Sequence, residues 1–174
     1  MAVRTLQRPV LPAHLADGRT VSLVFSNVLC DNRDFGRVVA LANAQDADIF
    51  AAAETPPEWI SHLDALKARY PYSFTPGQLG VFGVALYAKR PFRAEIYHPG
   101  QRGMPLLRAD FGDMVVYVAH PMPPANARLA ADNEAYIGNV AELVNNETRQ
   151  GAPLLAATAG STTSVPTTTR FAPI

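Results

Sequence analysis

Thr20-Val-Ser-Leu-Val-Phe-Ser-Asn27 and Asp48-Ile-Phe-Ala-Ala-Ala-Glu54 are the two stretches on which the fold turns. The first is dense in β-branched and aromatic residues and suits a strand buried on both faces, ending at Ser26 and Asn27. The second is a short buried strand with Glu54 at its end. Between them, Asn32 or Asp34 can cap a helix whose apolar stripe is Phe35, Val38, Val39 and Leu41. Thr55-Pro56-Pro57 then opens a second helix with Trp59, Ile60, Leu63 and Leu66 on its inner face. Strand, helix, strand, helix is the start of a layered α/β domain.

Past Tyr70-Pro71 the punctuation changes, with Pro and Gly recurring between short β-rich runs. Strands are expected over Val81 to Ala88, Ala94 to Tyr97, Met104 to Ala109 and Met114 to Ala119, arranged as antiparallel hairpins. Phe111-Gly112-Asp113 is the turn joining the last two. Leu129, Tyr136, Ile137, Val140, Leu143 and Val144 mark a third helix between Asn126 and Asn146, and Pro153 to Ala157 reads as a final strand before a Thr/Ser-rich tail. The whole is expected to be an α/β sandwich with mixed sheets over residues 20–174, preceded by a tail at 1–19.

The chain has 174 residues, 48% apolar and 17% charged, enough to bury an ordinary core, which excludes global disorder. Fifteen basic residues balance fifteen acidic ones, so net charge offers no support for nucleic-acid binding. Cys30 is alone, which excludes an internal disulfide and a Cys-based zinc site. No apolar stretch approaches the ~20 residues of a membrane span, so the expectation is a soluble protein, cytoplasmic or peripheral to a membrane complex. Arg33, Lys89, Arg90, Arg102 and Arg128 could gather into a phosphate site, but isolated surface cations are the simpler reading.

Asn27, Glu54 and His120 share a placement at the carboxyl ends of buried strands, where layered α/β folds present ligand groups. Ser26-Asn27-Val28-Leu29, Asp46-Ala-Asp48 through Glu54-Thr55, Trp59, Gly80 through Arg90-Pro91, and Tyr117-Val-Ala-His120-Pro121 together resemble the endonuclease/exonuclease/phosphatase superfamily, which has the deoxyribonuclease-I-like fold. The resemblance runs from Thr20 to Phe171. It implies that Glu54 binds Mg²⁺ with Asn27 beside it, that Mn²⁺ could substitute, and that His120 helps hold phosphate. A lone carboxylate and an amide imply weak metal binding.

The family's Gly-Asp-x-Asn ending of the last strand is replaced here: Thr158 stands for the Asp and Gly160 for the Asn. A threonine hydroxyl is no general base near neutral pH and glycine has no side chain to offer phosphate. The family's later strands and their Asp-His pair have no counterpart before Ile174. The resemblance therefore implies a fold incomplete at the C-terminus and a catalytically degraded relative serving as a binding or assembly subunit, self-associated or docked in a larger complex through the segment from Pro153 to Ala159. The alternative is an Mg²⁺-dependent phosphodiesterase or phosphatase, with this chain a shortened form of an active parent.

Overall fold

The computed structural model describes residues 11–15, 17–76, 80–100, 102–122, 125–149 and 154–158. They divide into two compact units, the first including Thr20–Phe92 and the second Ala13–Arg19 together with the residues from Arg93 onward.

The first unit is built on a five-stranded sheet in the order β1-β2-β3-β5-β4. Its strands are β1 (Leu11–His14), β2 (Thr20–Asn27), β3 (Ile49–Ala53), β4 (Tyr72–Phe74) and β5 (Val84–Ala88). β2 and β3 are parallel, Asn27 lying opposite Ala53, and β5 runs antiparallel to β3 with Val84 opposite Ala53. Helix α1 (Phe35–Gln45) makes the crossover between the parallel strands, as such a pair requires. Asp34 caps it, its side chain accepting from the Arg37 amide, and Asp46 ends it in the left-handed conformation. The start of the β2–β3 pair is pinned by Asp48, whose carboxylate accepts from both the amide and the hydroxyl of Ser22 at 2.8 Å. The Asp48 amide in turn donates to Ser22 Oγ.

α2 (Pro57–Leu63) continues into a 3₁₀ turn over Asp64–Ala68. Trp59, Leu63 and Leu66 are fully buried with Val24, Val38, Ala42, Phe50 and Tyr87 in one core, while Ile60 is only partly buried at its margin. Trp59 meets Phe35 edge-on, ring centroids 4.7 Å apart, so the tryptophan of the sequence motif is a packing residue. β3 and β5 are buried on both faces, which explains why their sequences read as continuous apolar runs rather than alternations.

The second unit holds a four-stranded sheet, β6 (Arg93–Tyr97), β7 (Leu106–Asp110), β8 (Val115–Ala119) and β9 (Leu154–Thr158), in that spatial order. The first three form an antiparallel meander and β9 joins β8 in parallel. α3 (Ala127–Arg149) is the long crossover between β8 and β9. The Ala13–Arg19 segment belongs here through Arg19, whose guanidinium pairs with Asp113 at 3.0 Å in the β7–β8 turn.

Several expected boundaries move. The strand expected over Val81 to Ala88 starts only at Val84, because Gly80–Phe82 forms a 3₁₀ turn. β5 and β6 belong to different sheets, so the run of hairpins expected through this region is a hairpin series only from β6 to β8. β1 lies inside the stretch read as a tail, and β4 was not expected. The β7–β8 pairing across Phe111-Gly112-Asp113 is as the sequence implied.

Candidate active site

In each unit two neighbouring parallel strands end together, and the candidate residues stand at those ends. In the first unit Asn27 is the last residue of β2 and Glu54 follows the last residue of β3. Their side chains meet: Asn27 Nδ2 donates to Glu54 Oε1 at 2.8 Å. The other carboxylate oxygen, Oε2, accepts from the Cys30 backbone amide at 3.2 Å. Asn27 Oδ1 accepts from the Leu29 amide at 3.0 Å, and the Val28 amide donates to Ala53 O at 3.0 Å. The amide and carboxylate are thus held in place by N–H donors of Asn27 and of the turn after β2.

Glu54 and Leu29 both adopt positive φ, 60° and 62°, a conformation that costs side-chain-bearing residues of order 1–2 kcal/mol. Such strain persists only where the surroundings over-determine it. Here the turn bonds hold Leu29, and the Thr55 amide bond to Gly83 O at 3.1 Å holds the far side of Glu54. Gly83 is required at that contact: a Cβ there would lie 2.4 Å from Thr55 O.

The donors that remain are oxygen lone pairs of one carboxylate and one amide. They suit a hard cation that keeps most of its water and shares a phosphate, so Glu54 and Asn27 fit Mg²⁺ or Mn²⁺ as a minimal protein ligand set. No group of three or more His, Cys, Asp or Glu side chains gathers into a metal cluster among the described residues. Cys30 is a free thiol whose pKa is raised, chiefly by burial and then by the charges of Asp31 and Glu54, so it is a poor thiolate ligand.

In the second unit His120 follows β8 and is 3% exposed. Thr158 ends β9 opposite Ala119, one residue short of His120. Tyr136 of α3 is buried in the same unit, its phenol donating to Pro105 O at 2.8 Å. Gly160 lies outside the described residues.

Several of the loop cations are already engaged by carboxylates. Arg33 pairs with Glu58 at 2.9 Å, Lys89 reaches both the carboxylate and the carbonyl of Asp46 at 2.6 and 2.7 Å, and Arg102 is bonded to Asp132. Arg128 is exposed and Arg90 half-buried. Sequence reasoning missed the ionic group Arg108–Glu147–Tyr117, which ties α3 to β7 and β8. Arg108 Nη2 lies 2.8 Å from Glu147 Oε1, and the Tyr117 hydroxyl donates to Glu147 Oε2 at 2.9 Å.

The mixed two-sheet α/β fold is shared with a defined group of proteins. Over residues 24–156 the chain matches the Endonuclease/Exonuclease/phosphatase family, and it belongs to that family. No curated protein matches the sequence. Among solved structures it resembles TDP2 from Caenorhabditis elegans, with a TM-score of 0.62 at 16% identity over 78% of this chain and 45% of that one. It also resembles Danio rerio TDP2 complexed with single-strand DNA product, at 0.61 and 17% over 79% and 59%. The 3′ phosphatase NExo from Neisseria, bound to a product DNA hairpin, gives 0.61 and 14% over 79% and 56%. These likenesses establish the deoxyribonuclease-I-like fold, and the chain spans about half the length of the structures it matches.

Proposed function

We propose that this chain is a divalent-metal-dependent phosphoester-binding domain of the hydrolase type its family comprises, with recognition retained and turnover by the chain itself reduced to background. The observation that carries the reading is the 2.8 Å bond between Asn27 and Glu54 at the paired ends of β2 and β3, with Glu54 held in the left-handed conformation. In this reading Glu54 is the metal carboxylate, and Asn27 fixes its orientation and offers Oδ1. A cation bound there would offset negative charge on the phosphoester. Asn27 and the Cys30 amide keep the Glu54 carboxylate aimed.

Support for reduced turnover comes from the residue type at position 158. A general base must take a proton near neutral pH, and a threonine hydroxyl does not. The alternative, an active Mg²⁺-dependent phosphodiesterase or phosphatase, is favoured by the family match spanning Asn27, Glu54 and His120 alike.

Calorimetric titration with Mn²⁺ and Mg²⁺, run beside turnover of bis(p-nitrophenyl) phosphate, separates the readings. The expected result is weak cation binding abolished by Glu54→Gln, with hydrolysis at background. Metal-dependent turnover lost in Glu54→Gln would establish the hydrolase instead, and cation binding indifferent to Glu54→Gln would remove the metal role.

A further inference from the structure

Glu54 is bordered on both sides by apolar residues that the fold displays rather than buries. β3 has β2 as one neighbour and β5 as the other, so at the carboxyl end of β3 the segment leaving β2 lies on one flank and the segment entering β5 on the other. The first presents Leu29, 47% exposed, and the second Val81, 50% exposed, followed by half-buried Phe82. Each segment is tied to the strand end by backbone bonds, Val28 N to Ala53 O on one side and Thr55 N to Gly83 O on the other.

A single exposed leucine on a protein surface means nothing. Leu29 differs in being fixed: its amide is bonded to Asn27, its carbonyl accepts from the Asn32 amide at 2.8 Å, and its φ of 62° is one that a leucine adopts only when held. The bonds that orient the Asn27–Glu54 pair therefore also hold an apolar side chain in solvent beside it. The charges nearby do not suit a polyanion. Residues 28–34 carry Asp31 and Asp34 against Arg33, which is engaged by Glu58, and residues 80–83 are Gly-Val-Phe-Gly with no charge.

Building on the metal-and-phosphate reading of this site, we infer that its ligand is a phosphoester whose substituent next to the phosphorus is apolar, an aryl or alkyl group that rests against Leu29 and Val81, rather than a nucleic-acid strand. The phosphoryl oxygens face Glu54 and its cation while the substituent is shielded by the two rims. Flanking phosphates of a polynucleotide would meet the acidic turn on one side and an uncharged one on the other.

Methylphosphonate and phenylphosphonate test this, since neither can be hydrolysed at its C–P bond and they differ only in the apolar group. With Mg²⁺ present, phenylphosphonate should bind about tenfold tighter, the amount that shielding part of one ring from water supplies. Leu29→Ser combined with Val81→Ser, both at exposed positions, should erase that advantage and leave methylphosphonate affinity unchanged. Equal affinity for the two phosphonates, a preference that survives the double variant, or tighter binding of an oligodeoxythymidylate than of phenylphosphonate would each overturn the inference. Glu54→Gln separates the two layers: an aryl preference that persists with no dependence on Glu54 or Mg²⁺ supports the apolar rim and removes the metal reading beneath it. Failure of both phosphonates to bind overturns both.

Discussion

Glu54 is placed by neighbours of different kinds, among them a side chain, a backbone amide and a glycine. Asn27 reaches Oε1, the Cys30 amide reaches Oε2, and Gly83 admits the backbone of Thr55 so closely that no other residue fits at that position. Substituting Gly83 by Ala puts a methyl group against a carbonyl in a strand end that cannot retreat, because β5 is fully buried and paired on both sides. Overpacking of this sort costs about 1–3 kcal/mol. Gly83→Ala should lower the unfolding free energy by that amount, read from a lowered urea midpoint, and weaken Mn²⁺ binding further than the loss of folded protein accounts for, since relief of the clash moves Thr55 and with it Glu54. A Gly83→Ala protein with unchanged urea midpoint and unchanged cation affinity would show that the strand end yields freely.

At the scale of elements, one ionic group ties α3 to β7 and β8. Arg108 and Glu147 each have side chains 17% exposed, and Tyr117 beneath them is buried. The Arg108 guanidinium, with help from the Tyr117 hydroxyl, holds the Glu147 carboxyl below its ordinary value of 4.5. Tyr117 is pushed up to about 12, first by burial and then by its bond to Glu147. A carboxylate whose folded pKa is depressed adds stability that is fully present above the unfolded pKa and is lost as pH falls through the folded one. Stability should therefore decline below about pH 4.5 partly through Glu147. Glu147→Gln should cost about 1–3 kcal/mol near neutral pH and show a shallower acid decline, read from urea midpoints across pH 3 to 7. Parallel wild-type and variant curves would mean the pair contributes nothing that titrates.

This group was invisible in the sequence because its members lie 30 to 39 residues apart on a helix and two strands, with no local pattern to join them. β2, β3 and α1 were legible because an apolar run and a capping Asp are local signals. The start of β5 was not, since Gly-Val-Phe-Gly-Val continues the apolar run while its first three residues turn as a 3₁₀ segment. β1 contains Pro12, and β4 is three residues long beside Pro71, so both fell under the punctuation that marks loops. Asn27 and Glu54 were legible from strand-end position. The Cys30 amide and the strained Leu29 were not, because a backbone donor carries no residue signature.

For the molecule as a whole, charge decides more than fold about what it can hold. Fifteen basic and fifteen acidic side chains cancel, and several cations are already committed within the chain: Lys89 and Arg69 to Asp46, Arg33 to Glu58, Arg102 to Asp132, Arg108 to Glu147. Each committed cation must break an ion pair before it can neutralise a phosphate. Single-strand binding driven by phosphate contacts loses affinity with salt at a logarithmic slope of roughly −0.7 per phosphate neutralised. A chain of this charge should therefore bind oligodeoxythymidylate with a slope no steeper than about −1, the value for one or two contacts, whereas a basic cleft engaging six phosphates would give about −4. Fluorescence anisotropy of a labelled oligonucleotide between 20 and 200 mM salt measures the slope directly. A slope near −4 would require the paired arginines to let go of their carboxylates on contact with the strand, and would mean that Arg33 and Arg102 hold phosphate in the complex and carboxylate only in its absence.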